Sequence, residues 1–146
     1  ELFLDALGFA DGWSTLGHIA YARGKDESSG EALNSIDPLK GVFSLAYRQP
    51  NGQFGGDLSW TLVAAKQRID KTQTNNQYAT SGYGTLDLNG WWHIDEHFSV
   101  NAGLFNLTDK RYWHWNNVQG LSSTDPGLAR ASQPGRHAAI NLVWEL

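Results

Sequence analysis

The residues of this chain best suited to chemistry are its five histidines, His18, His93, His97, His114 and His137. Imidazole is a good iron ligand. No two of them sit at a helical metal spacing, however. The chain has no Cys, and no carboxylate cluster accompanies them. His114 stands out because Trp113 and Trp115 flank it, so ring faces lie on either side of an imidazole. Asp95 and Glu96 are adjacent, a pairing more typical of a solvated turn than of an acid–base couple. No Gly-x-Ser-x-Gly, phosphate loop or nucleophile–base spacing is present. The sequence therefore points to no catalytic residue and no metal site. The chemistry on offer is recognition by aromatic and polar side chains.

The elements that must position these residues are strands. The chain of 146 residues carries Lys+Arg 11 against Asp+Glu 15, a net charge of −4. That balance argues against a nucleic-acid partner, which calls for a basic face. No run of about 18 apolar residues exists, so a transmembrane helix is excluded but a membrane barrel is not. The absence of Cys removes disulfides. There is also no Met, and Glu1 opens in mid-strand, so the sequence is expected to be a piece of a longer or processed protein. Abundant Trp, Tyr, Phe and Gly favour strands joined by tight turns.

Alternation of apolar and polar residues predicts seven strands. They cover Glu1–Phe9, Trp13 to about Arg23, Gly41–Gln49, Gly55 to about Arg68, Tyr83–His93, Phe98–Leu104 and Gly135–Leu146. Short turns join the first pair (Ala10-Asp11-Gly12), the third pair (Pro50-Asn51-Gly52) and the fifth pair (Asp95-Glu96-His97). Long polar stretches separate the pairs, at Gly24–Lys40, Ile69–Ser81 and Thr108–Pro134. Short and long connections alternating in this way suit an antiparallel membrane barrel, with short periplasmic turns and long extracellular loops. Aromatics group at two levels. Trp13, Tyr47, Trp92, Phe98 and Trp144 lie near the short turns. Tyr21, Tyr83, Tyr112, Trp113 and Trp115 lie near the long loops. Two such levels match the interfacial girdles of a barrel. His18, His93 and His137 fall on the polar face, and His97 falls in a short turn. A soluble, carbohydrate-binding β-sandwich is the alternative, since it too has about seven alternating strands.

The run Asn106-Leu107-Thr108-Asp109-Lys110-Arg111-Tyr112, placed directly after a strand, resembles the penultimate-strand signature of TonB-dependent outer-membrane receptors. Pro134-Gly135-Arg136, leading into the last strand, resembles the same family. Leu33 to Gly41 with Leu45-x-Tyr47 is similar to the branch that serves haem, haemoglobin and related haem carriers. Trp60 to Lys66 and Tyr112-Trp113-x-Trp115 are similar to that branch as well.

The resemblance implies an all-β fold, with residues 1–146 as the last seven strands of a plugged barrel of about 22 strands. The N-terminal plug and the earlier strands would lie outside this sequence. It implies the outer membrane of a Gram-negative bacterium, and outer-membrane lipid around the wall. The TonB complex would act through the N-terminal region. The implied cargo is haem or a haem-carrying protein, with a ferric siderophore as the alternative, and no resident cofactor. A passive porin or esterase barrel is a further rival. Asn106, Leu107, Asp109, Tyr112, Pro134, Gly135 and Arg136 then read as structural. Asn106 and Asp109 would bond nearby backbone, and Tyr112 would anchor at the outer interface. Trp113, His114 and Trp115 lie on the extracellular side, either as an interfacial aromatic cluster with an incidental His or as a contact for cargo, since the rings suit a porphyrin or a protein surface. Barrels of this class usually end in an aromatic residue. This chain ends in Leu146, with Trp144 two residues before it.

Overall fold

The computed structural model describes residues 2–72 and 76–145, with side chains from Asp11 onward. The expected strand limits at Glu1 and Leu146 lie outside the described residues. Seven strands are present: β1 (Leu2–Ala10), β2 (Trp13–Ala20), β3 (Lys40–Arg48), β4 (Phe54–Val63), β5 (Tyr83–His93), β6 (Phe98–Phe105) and β7 (His137–Trp144). They form one antiparallel sheet in the order β1-β2-β3-β4-β5-β6-β7, each strand pairing with its sequence neighbours. All the named strands among the described residues belong to this sheet, so the sandwich alternative fails.

Two strands end well before the expected limit, and other bounds differ by one or two residues. β2 ends at Ala20 rather than near Arg23, and β4 at Val63 rather than near Arg68. Beyond Val63 the pairing thins to single backbone bonds that keep the registers of the flanking strands: the Ala64 N–H donates to the Leu39 carbonyl at 2.9 Å and the Lys66 N–H to the Thr80 carbonyl at 2.9 Å. The stretch 108–134 is not wholly irregular. It holds two single-turn helices, α1 (Trp115–Val118) and α2 (Gly127–Arg130). Four residues are too few for a 3.6-residue period to register in sequence.

The pairing register sorts side chains onto two faces. On one face Leu45 pairs with Leu58, Leu58 with Leu88, Leu88 with Leu104, and Leu104 with Ala138. On the other, Ser44 pairs with Ser59 and Ser59 with Asp87, while Ala46 pairs with Asp57 and Asp57 with Asn89. The apolar face is exposed: Leu88 is 43% exposed, Leu104 43%, Leu142 61% and Ile140 72%. An apolar face that large fits lipid contact rather than water. The polar face is cross-linked by short bonds. The Ser44 and Ser59 hydroxyls lie 2.7 Å apart, and Ser59 donates to Asp57 Oδ2 at 2.8 Å.

The aromatic level at the short turns stands on the apolar face. Trp13 packs on Tyr47 with ring centroids 4.9 Å apart, Tyr47 on Phe54 at 6.0 Å, and Phe98 on Trp144 at 6.3 Å. The turn before Trp13 needs Gly12, whose φ is +80°, and a Cβ there would meet the Arg48 carbonyl oxygen at 2.3 Å. The outer level requires correction. Tyr83 shares a face with Thr85 and Asp87, so it belongs to the polar side, and Tyr112 packs against it with centroids 4.3 Å apart. Tyr112 is thus not an interfacial anchor. Trp115 is 3% exposed and faces neither lipid nor water. At the long-loop end, Tyr21 (63% exposed) and Trp60 (50%) remain on the apolar face.

Among the described residues the buried apolar core is Trp115 and Val118, both in the last long loop. Among the described residues the sheet itself has no apolar core. Its stability must come from the ladder and from surrounding lipid. Replacing mid-strand Leu58 by Arg in the full-length protein is therefore expected to destabilise it by about 2–4 kcal/mol. Reversible unfolding in lipid vesicles would measure this, and Leu58→Phe should cost little.

Candidate functional site

The chain leaves β6 at Asn106, which adopts φ +50°, a left-handed conformation that Asn tolerates better than most residues. Asn106 is 3% exposed, and almost all of its polar capacity is used. Its backbone N–H donates to Asp87 Oδ1 at 2.7 Å. Its side-chain Nδ2 donates to the Lys110 carbonyl at 2.9 Å and the Pro134 carbonyl at 3.1 Å, and its Oδ1 accepts from the Lys110 N–H at 2.9 Å. The Leu107 N–H returns to the Leu86 carbonyl at 2.8 Å, and the Asp109 N–H to the Asn106 carbonyl at 2.8 Å. Asp109, at φ +52°, accepts the Arg136 N–H on Oδ1 at 2.8 Å. A Cβ on Gly135 would lie 2.7 Å from that same oxygen, so a side chain there would push the Asp109 carboxylate aside. The two motifs 28 residues apart are halves of one knot. It closes the mouth of the last loop and ties β5, β6 and the entry to β7 together.

Above this knot the three long loops bind one another. The Asn34 amide pairs with the backbone of Asp70 in both directions, at 2.9 and 2.8 Å. The Trp115 indole N–H donates to the Asn34 carbonyl at 2.6 Å. Lys66 is buried and donates its ammonium to the Ile36 carbonyl, and Nζ lies 4.7 Å from the Trp115 ring centroid. Burial pushes the Lys66 pKa below the usual lysine range, with Asp37 raising it and Arg68 lowering it. The Tyr78 N–H donates to the Leu121 carbonyl at 2.9 Å. The Gln77 amide, oriented to satisfy both neighbours, donates to the Asp70 carbonyl at 3.0 Å and accepts from the Gly120 N–H at 2.9 Å. The loops thus form one cap, locked by buried polar groups that are paired.

The expected cargo contacts divide. Trp115 is buried, its indole N–H and ring both engaged within the cap, so it is a loop lock rather than a contact. Trp113 is half-buried. Its indole donates to the Leu128 carbonyl at 2.7 Å, and its ring meets Tyr78 edge-on at 5.7 Å. His114 is exposed, with Nδ1 2.9 Å from the Tyr83 hydroxyl and its ring edge-on to Tyr112 at 5.5 Å. Partial burial lowers the His114 pKa, Lys40 lowers it further, and Asp37 opposes. Among the described residues, no three His, Cys, Asp or Glu side chains converge as a metal site. Sequence reasoning missed Gln77 entirely, since a lone Gln in a polar stretch carries no pattern. Asn34 and Lys66 sat inside motifs singled out for resemblance, without a role.

Two outcomes follow. Asn106→Ala removes three side-chain bonds and places Ala at positive φ, so a loss of about 2–4 kcal/mol is expected, with faster proteolysis inside 108–134. Denaturation of the full-length protein, with mapping of the first cleavage, measures both. A histidine with a lowered folded pKa binds fewer protons folded than open. The cap should therefore hold above about pH 6.5 and loosen as pH falls below it. Hydrogen exchange across 108–134, corrected for intrinsic rate, should show less protection at acid pH, and His114→Gln should remove the difference.

The family of TonB dependent receptor-like β-barrels matches residues 1–107. The chain is similar to hemoglobin-binding protein A of Haemophilus influenzae, at 27% identity over 99% of this chain and 16% of that protein. It is similar to hemoglobin-haptoglobin utilization protein B of Neisseria meningitidis, at 27% over 91% of this chain and 19% of that one. Among solved structures, the copper transporter OprC superposes with a TM-score of 0.80 at 28% identity, covering 95% of this chain and 22% of the transporter. The ferric enterobactin receptor PfeA of Pseudomonas aeruginosa shares the fold, with a TM-score of 0.71 at 22% identity over 95% of this chain and 21% of the receptor. The chain thus spans only a small part of each protein it matches. Single-sheet topology, lipid-type face and a match over most of its residues lead to one conclusion: this chain belongs to the TonB-dependent receptor family, as part of its outer-membrane β-barrel.

Proposed function

We propose that this chain forms strands of a plugged barrel that takes up haem, or haem from a carrier protein such as haemoglobin, across the outer membrane of a Gram-negative bacterium. The observation that carries the reading is similarity along nearly the whole chain to proteins named for binding haemoglobin. The preformed cap of three loops adds to it. A rigid cap meets a protein cargo without first paying for loop ordering. Trp113 and His114 supply a half-buried and an exposed ring on that cap. Haem in this reading is cargo, not a resident cofactor.

The mechanism is transport without a covalent step. Cargo docks on the loops and on the outer face of a plug carried by the N-terminal part of the protein. Energy delivered through the TonB complex at that N-terminal region then disturbs the plug. The cargo passes along a lumen whose wall here carries Asp57, Ser59, Asp87 and Asn89. These polar side chains suit a hydrated passage. A ferric-siderophore cargo is the second reading, and the shared fold with PfeA leaves its chemistry open.

Binding of haemoglobin to cells expressing the full-length receptor tests the proposal. Tight binding is expected, weakened about tenfold by Trp113→Ala with His114→Ala, the scale of a central interface residue. Uptake of a ferric siderophore with no response to haem or haemoglobin would overturn it.

A further inference from the structure

We propose that a hollow in the polar wall, toward the short-turn end between Trp91 and Phe105, is a transit subsite for an anionic porphyrin, one of whose carboxylates Arg48 receives. The inference rests on the haem-uptake reading above and concerns a step after capture by the loops. The hollow measures 300 Å³, and Asn89, Trp91, Asn101, Gly103, Phe105 and Asn141 are among the residues that line it. All six share the polar face with Asp57 and Asp87.

The two rings are set into the wall. Trp91 leans over Gly55, where a Cβ would lie 2.7 Å from the indole, and Phe105 leans over Gly103, where a Cβ would lie 2.6 Å from the ring. Each is braced by an imidazole. His93 lies 5.0 Å from Trp91 between centroids, and His137 stacks on Phe105 at 5.0 Å. In the same hollow Asn101 and Asn141 face each other across β6 and β7, and among the described residues neither side-chain amide has a hydrogen-bond partner. Fixed ring faces with a few free polar groups suit a planar ligand that carries heteroatoms.

The charge stands in the same row. Arg48 pairs with Gly55 and Gly55 with Trp91, and Arg48 Cζ lies 5.2 Å from the Trp91 ring centroid. Among the described residues its guanidinium has no hydrogen-bond or ion-pair partner. Of the chain's eleven Lys and Arg residues, only Arg48 lies at the short-turn end, where Asp11, Asp95, Glu96 and Glu145 sit. The next row toward the loops carries Asp57, already bonded by Ser59 at 2.8 Å and Asn89 at 3.4 Å. An anion moving down this wall therefore passes a carboxylate and then meets a cation that has no anion of its own. Guanidinium and carboxylate pair through two parallel bonds. Cargo held there is kept from drifting back to the loops.

The test is accumulation of radio-iron haem, and of its dimethyl ester, by cells expressing the full-length receptor, with surface binding of haem measured in parallel. The ester keeps the ring and loses both carboxylate charges. Wild type is expected to accumulate haem faster than the ester. Arg48→Ser should lower the haem rate about tenfold, the scale of one charge-assisted pair, and erase the preference over the ester. Arg48→Lys should restore part of it. Trp91→Ala should slow both compounds, while surface binding and heat-dependent gel mobility report that the variants still fold. An Arg48→Ser receptor that accumulates haem at the wild-type rate overturns the proposal. So does one that slows haem and ester equally, which would mark a structural arginine. A wild type that accumulates neither compound overturns the uptake reading itself, and this inference with it.

Discussion

In hydrocarbon no water is available to a peptide group, so every N–H and C=O must find its partner within the sheet. That constraint explains most of the architecture. It keeps the strands antiparallel and in continuous register from β2 to β6. It confines irregular backbone to the two ends. Neither β1 nor β7 has a second neighbour in this sheet. Such edges are tolerable in lipid only when further strands cover them. With the backbone settled, side chains need only obey a two-residue period, apolar toward lipid and polar toward the lumen.

Moving the apolar surface outward leaves the sheet without a core among the described residues, and the small core found there lies in the loops. Trp115 and Val118 are buried there, and buried Lys66, Gln77, Thr80 and Asn106 accompany them. A buried ammonium is costly unless paired. Lys66 meets that demand with a carbonyl and an indole face, and so couples the first loop to the last. The Asn106 knot performs the same task at the loop mouth. It holds loop ends from three strands at fixed separation, so the cap above inherits the rigidity of the ladder below. The run from Asn106 to Tyr112 is thus a structural device that fixes the loops from beneath.

The strands were legible because a period of two survives in sequence whenever two faces meet different solvents. Tyr83–His93 was read to the residue. Failures cluster where the period stops governing. The ends of β2 and β4 were overextended because Tyr21 and Ala64 continue the alternation after the ladder has ended. Aromatic type at Tyr112 and Trp115 suggests an outward-facing interface, and the structure places both rings inward. Their actual partners, Tyr83 and Asn34, come from loops and strands 29 and 81 residues away, and no local pattern encodes such contacts. The knot is half legible: both motifs stand out in sequence, but nothing local shows that the Arg136 N–H meets Asp109 across 27 residues.

The central claim is that the sheet is a membrane wall with faces alternating residue by residue. The most direct measurement is cysteine scanning of β4 and β5 in the full-length receptor in outer membranes, since this stretch has no Cys of its own. Each position would be challenged with a membrane-confined and a water-soluble thiol reagent. The account predicts that Leu58, Trp60, Leu86 and Leu88 react only with the membrane-confined reagent, and that Asp57, Ser59, Asp87 and Asn89 are shielded from it. Labelling of Leu58 and Leu88 by the water-soluble reagent, or loss of the two-residue period, would contradict it.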